Sequence, residues 1–119
     1  MDVKDQGKTS SGLQANVAGL LCYLLGVITG IIFYLIEKDN KFVRFHAMQS
    51  IVVFGTLTVL NIVISFLMPM LGPLAVFVVP VVALVSLLGL VLWILLMVKA
   101  YQGELFKLPI AGDIAEKNS

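Results

Sequence analysis

Residues 47–98 read AMQSIVVFGTLTVLNIVISFLMPMLGPLAVFVVPVVALVSLLGLVLWILLMV, and these 52 residues contain no Asp, Glu, Lys or Arg. A second run without charged side chains covers residues 9–36. A soluble domain of 119 residues has no way to bury so much apolar length, because its surface needs polar side chains to contact water. The hydrocarbon core of a bilayer is about 30 Å thick and is crossed by roughly 20 helical residues. The two runs therefore predict an all-α, polytopic membrane protein with three transmembrane helices.

The distribution of charge, proline and glycine predicts how these helices are joined. Residues 37–46, EKDNKFVRFH, carry five charges and form a short first loop, with Asp39 or Asn40 as the N-cap of the second helix. Two prolines flank Gly72 and predict the second loop, because proline withholds an N–H and glycine accepts a positive φ. The predicted segments are a flexible tail at 1–11, a transmembrane domain at 12–101 with spans at about 12–36, 47–68 and 74–98, and a C-terminal tail at 102–119.

The basic residues predict the orientation in the cell membrane. With three crossings, the first loop shares one side with the C-terminal tail, and the N-terminal tail shares the other with the second loop. The first of these sides carries six basic residues and the second carries two. Because basic loops stay in the cytoplasm, the bias predicts a cytoplasmic C-terminus and an N-terminus outside. The six are Lys38, Lys41, Arg44, Lys99, Lys107 and Lys117, and the two are Lys4 and Lys8.

Composition argues against several classes of function. Charged residues make up 13% of the chain and the net charge is +1, so bulk electrostatics does not favour nucleic-acid binding. One cysteine and one histidine exclude an internal disulfide and a multi-histidine metal site within one chain. The predicted spans contain no ionisable residue of the kind that marks proton relays and coupled transport. We therefore predict a non-enzymatic protein without catalytic, cofactor-binding or metal-binding residues and identify no small-molecule substrate.

Small and polar residues within the spans predict helix packing. Gly19, Gly26 and Gly30 share one face of a continuous first helix, and the last two form a G-x-x-x-G pair that allows close backbone approach in lipid. They pack either against this chain's own helices or against a second copy. The second helix carries a polar stripe at helical spacing, which consists of Ala47, Ser50, Thr58, Asn61 and Ser65. Asn61 lies at mid-span in this stripe, where its amide either hydrogen-bonds to another helix or lines a pore.

Four segments resemble a family of small prokaryotic membrane proteins of unknown function, related to the Tic-Twenty component of the chloroplast inner-envelope translocon and to the magnetosome protein MamF. They are LCYLLG at 21–26, IEKDNKFVRFHAMQS at 36–50, WILLMVKAYQGE at 93–104 and LPIAGDIAEK at 108–117. The resemblance covers nearly the whole chain beyond the N-terminal tail. It implies a membrane-embedded helical protein and transfers no catalytic residues.

The most specific of these segments predicts a cytoplasmic interaction face where the second helix leaves the membrane. The face consists of Phe42, Phe45, His46 and Gln49, at spacings i, i+3, i+4 and i+7, together with Arg44. The segment at 109–116 is expected on the same side, so the two segments either form a docked cap that closes the bundle or bind a partner.

Two functions follow as hypotheses. The first is an interaction or scaffold protein of the lipid bilayer whose partner is a second copy or another membrane protein. The second is a passive channel or protein-translocation component whose polar stripe lines an oligomeric pore. A pore needs the stripe to face water, whereas a scaffold needs it buried between helices.

Overall fold

The computed structural model describes residues 9–119, and in these residues all regular structure is helical. This confirms the all-α fold class. Residues 1–8, most of the predicted N-terminal tail, lie outside the described residues. The helices are α1 at Ala15–Leu24, α2 at Val27–Ile36, α3 at Lys41–Leu71, α4 at Ala75–Tyr101 and α5 at Ala111–Lys117, and a 3-10 turn lies at Gly72–Leu74.

Helices α3 and α4 form a long apolar hairpin. Their 31 and 27 residues correspond to about 46 Å and 40 Å at 1.5 Å per residue, and both lengths exceed a hydrocarbon core of about 30 Å. Leu57 of α3 lies beside Gly89 of α4, and Ile64 and Val78 line the gap between the helices nearer the turn. In the most apolar stretch of 18 residues in this hairpin, only 6% is buried. These faces therefore suit lipid rather than the core of a soluble protein, and the membrane assignment is confirmed.

The predicted loops on either side of α3 are present. Asn40 is the N-cap of α3, and its side chain accepts a hydrogen bond from the Val43 N–H at 3.0 Å. Gly72 has a φ of 57° in the turn between α3 and α4, as its position between two prolines predicts. Helix α3 continues through Pro69 to Leu71, so it is three residues longer than the predicted end at Met68.

The first apolar run differs from the prediction of one continuous span over residues 12–36. The structure divides it into α1 and α2, each of ten residues and thus about 15 Å long, half of what a crossing requires. The backbone N–H groups of Ser10 and Ser11 donate to the Glu37 carboxylate at 2.7 Å and 2.8 Å. The start of α1 therefore lies beside the end of α2, and the two helices form a short hairpin.

Three groups hold the tip of this hairpin. Gly26 adopts a φ of 62°, which ends the helical path of α1. The Thr29 hydroxyl accepts from the Leu25 N–H and donates to the Cys22 carbonyl, both at 3.1 Å, so it bridges the turn. The Ser50 hydroxyl donates to the Gly26 carbonyl at 2.9 Å and ties the tip to the first half of α3.

This hairpin corrects the predicted topology. With α1 and α2 returning to the same end, residues 10–11 and the C-terminal segment lie together, whereas three crossings would place them on opposite sides. Arg44 connects α2 to the C-terminal segment, because its guanidinium donates to the main-chain oxygens of Tyr34 at 2.9 Å and Ser119 at 3.2 Å. All charged side chains in the described part of the chain lie at this end, which we call the charged end. The opposite end is the uncharged turn at Gly72–Leu74.

Candidate functional site

A buried polar network occupies the charged end and joins three parts of the chain. Tyr23 comes from α1, His46 and Gln49 come from α3, and the backbone of residues 104–108 comes from the segment after α4. His46 Nε2 lies 2.9 Å from the Glu104 carbonyl oxygen, and His46 Nδ1 lies 2.6 Å from the Tyr23 hydroxyl. Because a carbonyl can only accept, Nε2 carries the proton, and Nδ1 accepts from the tyrosine hydroxyl. This assigns the tautomer of a neutral imidazole.

Gln49 completes the network. Its Nε2 donates to the Tyr23 hydroxyl at 3.0 Å and to the Phe106 carbonyl at 2.8 Å, while its Oε1 accepts from the Leu108 N–H at 2.9 Å. The Leu108 N–H requires an acceptor, so the orientation of the amide is defined. Both amide hydrogens and the amide oxygen are thus used within the chain. The network holds residues 104–108 against α3.

A second set of contacts attaches α5 and the residue after it, Asn118, to the bundle. The Arg44 guanidinium lies 3.9 Å from the centre of the Tyr34 ring, and the Tyr34 hydroxyl donates to the main-chain oxygen of Asn118 at 2.9 Å. Lys107 forms ion pairs with Asp113 and Glu116 at the surface. The hydrogen bond to Glu116 raises the pKa of Lys107. The C-terminal segment is therefore docked against the bundle, as in the first of the two predicted alternatives.

The residues of the predicted interaction face lie between α3 and its neighbours. Phe42, Phe45, His46 and Gln49 are all buried, and Arg44 alone among the five is partly exposed. The rings of Phe42 and Phe45 stand edge-on to the imidazole, with centroid distances of 4.6 Å and 5.1 Å. Four of the five side chains are therefore used to close the bundle and are not available on an outward face.

The three glycines of the predicted packing face occupy three different environments. A Cβ at Gly19 would lie 2.9 Å from the Phe42 ring, and one at Gly30 would lie 3.0 Å from the Ala47 carbonyl oxygen. Gly26 is in the hairpin tip, where a Cβ would lie 3.4 Å from that of Phe54. The three do not form one helix face, because the chain reverses at Gly26. Gly19 and Gly30 both allow close contact with α3.

Several residues of this end have no signal in the sequence that marks their role. The Trp93 indole N–H donates to the Tyr23 carbonyl at 2.7 Å and links α4 to α1. The buried Asn16 amide donates to the Tyr101 carbonyl at 3.1 Å. The Glu37 carboxylate is fully buried and accepts from the two serine N–H groups named above. Each pairs with a group at least 26 residues away, so no local motif predicts the contact.

The other half of the molecule contains an open crevice. The short hairpin stops part-way along α3, and beyond its tip a space of about 690 Å³ opens between the tip, α3 and α4. We call this space the mid-membrane crevice. A smaller gap of about 240 Å³ separates α3 from α4, and Asn61 and Ser86 line both spaces. The crevice wall is otherwise apolar or small, with Leu25, Val27, Phe54, Gly55, Thr58 and Gly89 among its residues.

The polar stripe of α3 borders this crevice. The Thr58 hydroxyl donates to the Phe54 carbonyl at 2.7 Å, and the Ser65 hydroxyl donates to the Asn61 carbonyl at 2.8 Å. Both hydroxyls are thus bonded within α3. The Asn61 side chain is exposed and makes no hydrogen bond to any residue that the structure describes. Asn61 is therefore the member of the stripe whose polar atoms have not found a partner.

Metal-binding clusters are not evident in the part of the chain that the structure describes. Residues 9–119 contain no group of three or more His, Cys, Asp or Glu side chains placed to hold a metal ion. The single cysteine, Cys22, is buried and contacts the Val43 carbonyl through its sulfur at 3.7 Å.

Comparisons with known proteins match almost the whole chain. A family model described as the magnetosome magnetite crystal formation protein family matches residues 8–115. A UPF0132 membrane protein of Methanocaldococcus jannaschii is 55% identical over 113 residues, which cover 95% of this chain and 96% of that protein. A UPF0132 membrane protein of Archaeoglobus fulgidus is 50% identical over 105 residues, which cover 88% of this chain and 95% of that protein. No solved structure matches the chain.

Proposed function

Since this chain belongs to the magnetosome magnetite crystal formation protein family and its archaeal relatives are named as membrane proteins, we propose that it is a non-enzymatic scaffold of the cell membrane. In this proposal the charged end is a closed structural unit, and the mid-membrane crevice binds a helix of a partner protein.

The observation that carries this proposal is the Asn61 amide, which faces the crevice without a hydrogen bond to any described residue. An amide in hydrocarbon without a partner costs free energy, because it gives up its hydrogen bonds to water and gains none. A transmembrane helix that enters the crevice supplies those bonds, and the small residues Gly55 and Gly89 in the wall permit close approach.

The side chains best suited to chemistry support a non-enzymatic role. Tyr23, His46 and Gln49 are fully buried, and their hydrogen bonds are made to one another and to the backbone. A catalytic acid, base or nucleophile has to reach a reacting atom. These three side chains instead hold residues 104–108 in place.

The rival function, a passive channel or translocation component, requires several polar groups that face water. On α3, however, the hydroxyls of Thr58 and Ser65 are bonded to carbonyls one turn earlier. Asn61 is then the one amide of the stripe, with the Ser86 hydroxyl of α4 on the same crevice. So few polar groups in an otherwise apolar wall favour a helix contact over a water-filled pore.

Accessibility of position 61 to water tests the scaffold proposal. We expect Asn61→Cys, in a Cys22→Ser chain reconstituted in liposomes, to react with a small water-soluble thiol reagent at least tenfold more slowly than an exposed Lys117→Cys control. The reason is that a helix or lipid, and not water, lies against α3 at this depth. Rapid modification at position 61 together with a change in solute flux would exclude the scaffold and support the channel.

We further propose that the charged end is cytoplasmic and that the α1–α2 hairpin enters the membrane and returns without crossing it. All six basic residues of the described chain lie at the charged end, and the turn at Gly72–Leu74 has none. With two crossings, by α3 and α4, residues 10–11 and the C-terminal segment share one side, and the positive-inside rule makes that side cytoplasmic.

Cysteine labelling on intact cells tests this topology. In the Cys22→Ser chain, we expect an impermeant maleimide to label Met70→Cys, which is 80% exposed near the uncharged turn. Ser10→Cys and Lys117→Cys should be labelled only after permeabilisation, because both lie at the charged end. Labelling of Ser10→Cys without Lys117→Cys on intact cells would restore the arrangement with three crossings.

A further inference from the structure

We propose that the partner in the mid-membrane crevice is a second copy of this chain, with the Asn61 amide of each copy hydrogen-bonded to the Asn61 amide of the other. This inference rests on the proposed scaffold function and names its partner. It adds a specific intermolecular contact to a crevice that the folded monomer leaves open.

The chemistry of the amide selects the kind of occupant. Asn61 offers two N–H donors and one carbonyl acceptor, and no described residue of its own chain is bonded to them. A lipid acyl chain has neither donor nor acceptor, so it fills the crevice without satisfying the amide. A second asparagine supplies both, because two carboxamides can each donate to and accept from the other.

The geometry of a membrane selects the second copy. Copies of one chain insert with the same orientation, so Asn61 lies at the same depth in each of them. A two-fold axis along the membrane normal places equal depths opposite one another, and the two Asn61 side chains then meet without any vertical displacement. An unrelated helix meets this amide only if it carries a polar group at that depth.

The wall of the crevice has the shape that helix docking in lipid requires. Gly55, Thr58, Ser86 and Gly89 are small residues on α3 and α4, and they allow the backbone of a second copy to approach closely. Val59 borders the same crevice and is 61% exposed, which leaves an apolar surface around the amide to pack against its equivalent in the second copy.

Oxidative cross-linking in liposomes tests the contact directly. In the Cys22→Ser chain at a low protein-to-lipid ratio, we expect Asn61→Cys to form a disulfide-linked dimer efficiently. Ile62→Cys is the matched control, because Ile62 follows Asn61 in the sequence, is 52% exposed and does not line the crevice. Its cross-linking should be at least fivefold slower. Equal rates at the two positions would indicate random collision and overturn the proposal.

A measurement of association complements the cross-linking. Energy transfer between labelled copies, recorded as the full chain is diluted in lipid, should show that Asn61→Leu raises the dimer dissociation constant by roughly threefold to thirtyfold, the range expected for a polar contact in membranes. Ile62→Leu should leave it unchanged. A wild-type chain that remains monomeric at all dilutions would overturn the second copy as partner.

Failure of the dimer proposal and failure of the scaffold proposal give different experimental results. If the protein is a monomer and Asn61→Cys does not react with water-soluble reagents, the dimer is contradicted and the scaffold proposal stands. The same holds if that cysteine is cross-linked to a different protein in native membranes. A monomer whose Asn61→Cys reacts rapidly with those reagents and alters flux would contradict both.

Discussion

Replacing Gly30 by leucine is expected to lower the free energy of unfolding by about 3 kcal/mol, at the upper end of the usual cost of overpacking. A Cβ at this position would lie 3.0 Å from the Ala47 carbonyl oxygen, 3.1 Å from Ile51 Cγ1 and 3.3 Å from Ser50 Cβ. The first of these atoms belongs to the backbone of α3 and has no rotamer through which to move away. Leucine therefore forces α2 away from α3 and strains the hairpin tip, which is tied to Ser50. Thermal unfolding of the purified protein in detergent measures the effect.

The neighbouring position supplies the control for this variant. Ile31 lies on α2 and is 44% exposed, so Ile31→Leu keeps the apolar volume on a lipid-facing surface and should leave the unfolding temperature unchanged. If Gly30→Leu unfolded at the same temperature as Ile31→Leu, the close contact between α2 and α3 would be contradicted.

Replacing Gln49 by leucine is expected to lower the free energy of unfolding by about 3–5 kcal/mol, because each buried polar group left without a partner costs about 1–3 kcal/mol. The substitution removes the acceptor of the Leu108 N–H and the donors to the Phe106 carbonyl and the Tyr23 hydroxyl. Residues 104–108 then lose their attachment to α3. Limited proteolysis should cut this segment well before the remainder of the chain unfolds.

Gln49→Glu tests the acceptor of the Gln49 side chain separately from its donors. The carboxylate retains an acceptor for the Leu108 N–H but has no hydrogen to donate to Phe106 or Tyr23. Because the buried carboxylate also loses its hydration and faces the Phe106 carbonyl oxygen, it should protect the segment less than glutamine does. Gln102→Leu, at an exposed position, should have no effect. Protease resistance of Gln49→Leu equal to that of the wild type would contradict the role of the network.

Local sequence patterns were sufficient to predict the α3–α4 hairpin. The long apolar run predicts α3 and α4, because a chain in hydrocarbon must satisfy its backbone groups within a helix. The turn at Gly72 and the cap at Asn40 follow from residues within a few positions of each other. The charged end and the uncharged turn of the α3–α4 hairpin likewise follow from where the charged residues lie in the sequence.

The α1–α2 hairpin required the tertiary structure. Gly26 and Gly30 at a four-residue spacing are compatible with a continuous helix that packs closely, and they are also compatible with a reversal at Gly26. The choice depends on Ser50, which bonds to the Gly26 carbonyl from α3, and on Glu37, which joins the two hairpin ends. These contacts connect residues 24 to 27 positions apart, beyond the range of any local pattern.

The sequence by itself thus determined that this chain is helical, resides in a membrane and turns at Gly72. These properties depend on hydropathy and on backbone preferences that act over a few residues. Only the tertiary structure decided that the first apolar run turns back, that His46 and Gln49 face inward, and that no residue from 9 to 119 bonds to the Asn61 amide. The physical reason is that a hydrogen bond is decided by which groups meet in space, and those groups are far apart along the chain.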